Sequence, residues 1–367
     1  MKKGEVLGKK TNRKKKLIKK IQEKEKIENY PKNLKIIQEL PKDPSFSSDF
    51  VIFNSINNIL TVVYHTKYNS IISYDLKNNQ YINEIKVESF ENFFKYKYDK
   101  KNKMDLLLVD SFSFLKLFNF NTLECIFSIN KKSEPFSLST FLNDNDDIYI
   151  IFYHKNNEPS NDIKNNKTEL FDLNGKKKEE LNFISKDILY LETFYDIKTS
   201  KTYIISYNNS EDFINSYDYN EKKEYKKYFK NFETLNEIII NNESNITKII
   251  WNEYHLINIC NFHTGEILNI INMNIKIQEI YLWNNQFLIC SCFPKNIFDN
   301  QCSQLKLIDI KKEKIKKNLM DCKGFSIQLI KKINHPNYGE CLIAMKVSRK
   351  IHFGSSIKKK ILLLKEI

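Results

Sequence analysis

Six times along this chain a short apolar run ends on an apolar or aromatic residue followed by aspartate or asparagine, and a polar turn comes next. The pairs are Tyr74-Asp75 in SIISYDL, Phe118-Asn119 in FLKLFNF, Phe171-Asp172 in TELFDL, Tyr217-Asp218 in FINSYDY, Cys260-Asn261 in LINICNF and Ile308-Asp309 in LKLIDI. A seventh, Lys365-Glu366 in KKILLLKEI, stands at the corresponding point of the last unit. Counted on the second member, the spacings are 44, 53, 46, 43, 48 and 57 residues. Such a period means that one supersecondary unit is reused, each copy burying its apolar faces against its neighbours.

From about Asn33 onward the chain consists of apolar or alternating runs of four to eight residues, separated by Asn, Asp, Lys and Ser clusters. No 3.6-residue period is sustained, which is an all-β pattern. The first unit divides into FVIFN, ILTVVYHT, SIISYDL and QYINEIKV. The fifth repeats that order with NEIIIN, TKIIWN, HLINICNF and EILNIIN, and the sixth with IQEIYLW, QFLICSCF, QLKLIDI and KIKKNL. The unit is therefore a four-stranded antiparallel meander, close to the roughly 40–50 residues of a propeller blade.

The last unit stops after its third strand, and an orphan strand candidate, NLKIIQEL from Asn33 to Leu40, lies upstream of the first. Joining the two completes a ring and protects edges that a linear array would expose. The sequence thus predicts an all-β, seven-bladed β-propeller over residues 33–367, closed by an N-terminal strand that completes the last blade.

The aromatic-acidic pairs of SYDL, LFDL and SYDY resemble the Trp-Asp signature of the WD-repeat β-propellers, and the resemblance of architecture covers roughly residues 33–367. No unit has Trp at that position and no Gly-His pair occurs in the chain, so the His–Asp–Ser–Trp hydrogen-bonding network typical of that family is not legible here. The resemblance implies a non-enzymatic scaffold or adaptor in a multiprotein complex, with other proteins as partners and no cofactor. That implication comes from analogy of fold, and fold alone does not fix function.

Tight turns between strands need positive φ, which glycine usually supplies, and this chain has only seven glycines. Asn and Asp are the other residues that tolerate the left-handed region, so LKNNQ, FLNDND, ISYNNSED and LWNNQ are expected to make the turns. The same scarcity removes phosphate-cradling glycine loops. There is also no G-x-S-x-G elbow, no H-E-x-x-H and no C-x-x-C.

Charge is concentrated at one end. The first 30 residues carry twelve Lys/Arg against four Glu, a net of +8 out of +14 for the chain. Residues 1–32 read as a basic tail, flexible or helical, in which Lys9, Lys10, Arg13, Lys14, Lys15, Lys16, Lys19 and Lys20 form the densest run. That run is the candidate polyanion-binding site, for RNA phosphates, an acidic partner or a nuclear import receptor. It supports the alternative function, an RNA-associated factor of the kind used in ribosome biogenesis. Lysines offer point charges and not bidentate forks, so such contacts would be nonspecific and salt-sensitive. The competing reading is a solvated tail.

Other candidates have plainer readings. Cys290 and Cys292, with Cys302 nearby, alternate on one strand face but lack a fourth ligand, and FLICSCF reads as a buried strand with cysteine as a small hydrophobe. The segment FENFFKYKYDKKNK, Phe90 to Lys103, interleaves aromatics and lysines as a single-strand nucleic-acid platform would, yet a half-buried strand gives the same alternation. KKEYKKYFK and KKEKIKKNL fall on outermost strands, where lysine blocks edge-to-edge pairing. The sequons at Asn166, Asn208, Asn242 and Asn245 match what an Asn-rich composition gives by chance. Seven scattered cysteines do not form a secreted disulfide framework, the N-terminus lacks the apolar core of a signal peptide, and no apolar run spans a membrane. The expected location is cytoplasmic or nuclear.

Overall fold

A computed structural model of the protein describes residues 33–366 apart from 42–43, 45–49, 67–69, 88–91, 112, 132–136, 156–165, 186, 209–210, 230–234, 243–245, 294–302, 323–324 and 349–357. Strand β1 is Leu34–Glu39. Blade 1 holds β2 (Phe50–Asn54), β3 (Leu60–Thr66), β4 (Ser70–Asp75) and β5 (Gln80–Lys86). Blade 2 holds β6 (Asn92–Asp99), β7 (Met104–Ser111), β8 (Phe114–Asn119) and β9 (Glu124–Asn130). Blade 3 holds β10 (Ser137–Asp144), β11 (Asp147–His154), β12 (Lys167–Asp172) and β13 (Lys177–Glu180). Blade 4 holds β14 (Tyr190–Asp196), β15 (Lys201–Tyr207), β16 (Phe213–Asp218) and β17 (Lys223–Phe229). Blade 5 holds β18 (Leu235–Asn241), β19 (Lys248–Glu253), β20 (Leu256–Asn261) and β21 (Ile267–Asn272). Blade 6 holds β22 (Ile277–Asn284), β23 (Phe287–Cys292), β24 (Ser303–Asp309) and β25 (Lys314–Cys322). Blade 7 holds β26 (Phe325–His335), β27 (Gly339–Ser348) and β28 (Lys358–Glu366), and β1 completes it.

Each blade is a four-stranded antiparallel meander, and together they make the seven-bladed propeller that the repeat predicts. The second and third strands of a blade are covered on both faces by neighbouring blades. Every residue of β3 and β4 is accordingly buried, including the polar Thr61, His65, Ser73 and Asp75. The fourth strands lie on the rim and alternate, as in the exposed, half-buried and exposed residues of β5.

The core is not one mass but seven apolar layers, one between each pair of adjacent blades. Val63, Phe94, Leu107 and Phe118 fill the layer between blades 1 and 2, for example, and Ile250, Ile259, Leu288 and Ile308 that between blades 5 and 6. Propeller blades are stable only in such a stack, because each sheet has two apolar faces to cover.

Strand β1 is the clasp. It runs antiparallel to β28, with Leu34 opposite Glu366, Ile36 opposite Leu364 and Gln38 opposite Leu363, across a bulge between Ile36 and Gln38. Leu40 continues the pairing by donating its N–H to the Ile361 carbonyl at 2.9 Å. Leu34 packs in the layer between blades 6 and 7 and Leu40 in the layer between blades 7 and 1, so this one short segment ties three blades.

Candidate interaction surfaces

The repeated pair has a definite structural task. In each of the six complete blades the pairing of third and fourth strands carries a bulge within two residues before the Asp or Asn, as between Ser73 and Tyr74, Leu117 and Phe118, or Ser216 and Tyr217. The Asp or Asn then accepts backbone N–H groups of the turn. Asp75 Oδ1 takes those of Lys77 at 2.8 Å and Asn78 at 3.1 Å, Asn261 Oδ1 those of His263 and Thr264, and Asp309 Oδ1 those of Lys311 and Lys312. In five of the six, a residue at positive φ comes four after the Asp or Asn (Asn79, Leu123, Lys222, Gly265 and Glu313), and in blade 3 Gly175 comes three after Asp172. Asp99 and Asp196 close first-to-second-strand turns the same way, with Lys103 and Ser200 at positive φ.

The turn prediction is right at Asn79, Asn145 and Asp146 but misses Leu123, Lys222 and Glu313, and it places a left-handed residue in LWNNQ where none occurs; the centre of ISYNNSED, 209–210, lies outside the described residues. In LWNNQ the Asn284 carboxamide instead accepts the N–H groups of Gln286 and Phe287. The side-chain clamp over-determines the turn, so an ordinary residue is held in the left-handed conformation.

Polar groups inside the ring mostly latch one blade to the next. Asp105 at the start of β7 accepts the Ile56 N–H of blade 1 at 2.8 Å and, within blade 2, the Tyr96 hydroxyl at 2.8 Å and the Asn121 amide at 3.0 Å. Thr202 of blade 4 donates to the Asn143 carbonyl of blade 3 at 2.7 Å. Lys131, buried between blades 2 and 3, is paired with Asp110 and also meets Ser137 and the Ser111 carbonyl. Asp196 of blade 4 accepts the Thr247 hydroxyl of blade 5 at 3.3 Å, with His263 Nε2 at 2.9 Å, while Tyr225 and His263 Nδ1 are hydrogen-bonded at 3.0 Å. A buried charge without such partners would be costly, so these pairs fix how blades dock.

Along the innermost strands, Lys95 of blade 2 reaches past blade 3 to Glu192 of blade 4 at 2.5 Å, and Glu192 also accepts the Thr140 hydroxyl of blade 3 at 3.2 Å. Burial, reinforced by the neighbouring Lys100, lowers the Lys97 pKa. These contacts join three blades across the channel wall, and none was legible in the sequence, because partners 97 residues apart are adjacent only once the ring closes.

The structure also places the sequence candidates. Lys9, Lys10, Arg13, Lys14, Lys15, Lys16, Lys19 and Lys20 lie outside the described residues, as does Cys302. Cys290 and Cys292 are buried on one face of β23 within the layer between blades 5 and 6, and burial raises both thiols, Cys292 to about 11. In the aromatic-lysine segment, Phe94 is buried and Tyr96 stacks on Phe53 of blade 1 at 3.8 Å between ring centroids. Those rings are packed between blades and not offered to bases. The Asn166 and Asn208 side chains are buried, donating to the Tyr153 hydroxyl and the Asp187 carbonyl. No model of a protein family matches this sequence, and no curated protein matches it. Among the described residues no helix is long and apolar enough to cross a membrane.

At the junction of blades 4 and 5 the loops after the innermost strands abut, with Asn242 donating to the Tyr195 carbonyl at 3.3 Å and the Lys198 ammonium to Thr247 at 3.1 Å. The end of β14 presents Tyr195 to solvent, and beyond it Ile197 and Ile246 are exposed, Ile197 by 77%. Asp196 accepts the Lys198 N–H of the first loop and the Thr247 hydroxyl beside the second, so both ends of the junction meet one buried carboxylate.

Proposed function

We propose that this protein is a non-enzymatic scaffold, a divergent WD-repeat-like propeller that holds other proteins in a complex. The observation that carries the reading is the group of exposed apolar side chains, Tyr195, Ile197 and Ile246, beside the buried Asp196 at one junction of a closed ring. Grouped exposed apolar side chains are what protein partners bury. The Ile197→Asp/Ile246→Asp double variant should keep its thermal melt and lose the partners that the parent chain captures from cells. Full retention of those partners would remove this face from the reading.

The charge of the first 30 residues favours a second role for the tail, residues 1–32, as an arm for polyanions through Lys9, Lys10, Arg13, Lys14, Lys15, Lys16, Lys19 and Lys20. Such an arm fits an RNA-associated or nuclear-imported protein, with the cytoplasm or nucleus as its place. Binding to poly(U) should fall steeply with salt and vanish when residues 1–32 are removed. A truncated chain that binds poly(U) equally well overturns that role.

A further inference from the structure

Seven outermost strands form the rim, and six carry charged side chains: Glu84 and Lys86 on β5, Glu124 on β9, a Lys-Lys-Glu-Glu run on β13, Lys226 and three others on β17, Lys316 and three others on β25, and Lys35 and Glu39 on β1. The exception is β21 of blade 5, whose run ILNIIN holds no charge of its own; Glu266 stands just before it, as Glu124 opens β9. Charge on an edge strand, lysine above all, is how folded proteins stop their unpaired backbone from adding a strand. β21 has no lysine, is rich in β-branched residues and, unlike β9, exposes large apolar side chains, Ile267 and Ile270.

The backbone of β21 is also set up for pairing. It ends its sheet, with β20 on its inner side. Met273 donates to the His255 carbonyl at 2.9 Å, and the register continues with Ile271 opposite Ile257 and Asn269 opposite Ile259. Hydrogen-bonded pairs alternate in an antiparallel ladder, so the N–H and C=O groups of Ile270 and Asn272 point away from β20, toward the rim. Beside them the Ile270 and Ile267 side chains are 45% and 57% exposed.

We propose that β21 is a docking edge where an extended segment of a partner protein adds as a fifth strand, with apolar residues at alternate positions and acidic residues at its ends. The acidic ends follow from the flanks of the strand. On one side the Lys226 stem lies 3.2 Å from the point where a Cβ on Gly265 would sit, just before β21. On the other, Asn269 donates to the Ile310 carbonyl at 2.9 Å, which brings the exposed Lys311 next to the strand. The exposed Glu266 offsets one of these two lysines and leaves the named flanking groups net positive, so an acidic segment complements them better than a second copy carrying the same lysines. Strand addition gives affinity through main-chain hydrogen bonds and selects side chains at alternate positions.

This proposal rests on the scaffold reading and names one of its binding edges. The test uses the full chain and the synthetic peptide EETVTVTVEE. The peptide should bind and slow amide exchange at Ile270 and Asn272. N-methylation of alternate peptide residues keeps every charge but removes edge hydrogen bonds, and should weaken binding roughly tenfold or more. Ile270→Pro removes one outward N–H without breaking a bond to β20 and should weaken the unmodified peptide similarly. If that variant fails to fold, the N-methylated peptide on the parent chain still decides. No binding, equal binding of the N-methylated peptide, or protection elsewhere overturns the proposal. So does a dimer that Ile270→Lys dissociates, which would make a second copy the occupant. A chain that fails here yet loses its cellular partners on Ile197→Asp/Ile246→Asp keeps the scaffold reading.

Discussion

At the scale of single residues, the pair that marks each repeat is a bulge followed by a side-chain clamp. Asp75 is buried and accepts the backbone N–H groups of Lys77 and Asn78 together with the Asn78 side-chain amide. Asp75→Ala should cost about 1–3 kcal/mol, the penalty for stranding such donors, read from the denaturant midpoint. Asp75→Asn should restore most of it, because Asn119 and Asn261 do the same work in blades 2 and 5. The sequence showed where these pairs fall but not what they do, since the Trp-Asp resemblance says nothing of which backbone groups a carboxylate will meet. A second prediction concerns acid. Both ring nitrogens of the fully buried His65 lack hydrogen-bond partners, and burial lowers its pKa below the ordinary 6.5. The unfolded chain takes that proton more readily, so this contribution is whole above pH 6.5 and drains as pH falls below it. The midpoint should drop between pH 7.5 and 5.5, and drop less in His65→Phe. Glu169 acts in a lower window: the His154 hydrogen bond, aided by Lys177 and opposed by burial, holds its pKa near 2. Its stabilisation is complete above the usual 4.5 and lost as pH approaches 2.

At the scale of strands, the clasp was legible because the last unit was one strand short and an unassigned strand lay upstream. Register was not, because the bulge between Ile36 and Gln38 leaves no mark in the alternation of LKIIQE. If β1 closes the ring, deleting residues 1–32 should leave the melting temperature unchanged. Deleting residues 1–40 should lower it and expose the layers that Leu34 and Leu40 cover, seen as increased dye binding. Leu40→Ala should cost about 2–5 kcal/mol for the cavity it opens. The rim strands show the same division between what is visible and what is not. Lysine on β17 and β25 was readable as edge protection from the sequence, and the uncharged run ILNIIN was readable as a strand. Only the register shows which backbone groups of ILNIIN face the rim.

At the scale of the molecule, stability is distributed over seven junctions, each a separate apolar layer with its own polar latch. Leu107 is fully buried in the layer between blades 1 and 2. Leu107→Ala should therefore cost about 2–5 kcal/mol, with amide exchange rising first in those two blades and least in blades 4 and 5. Uniform acceleration around the ring would mean that the junctions do not open separately. The channel contacts were beyond sequence reading for the same reason that the repeat was within it: a period is local, whereas Lys95 and Glu192 become neighbours only through curvature. The pairing of β1 with β28 has a consequence for birth on the ribosome. The strand translated before every blade has a partner that emerges after all of them, so the nascent chain must keep its earliest β segment uncommitted while six complete sheets assemble behind it.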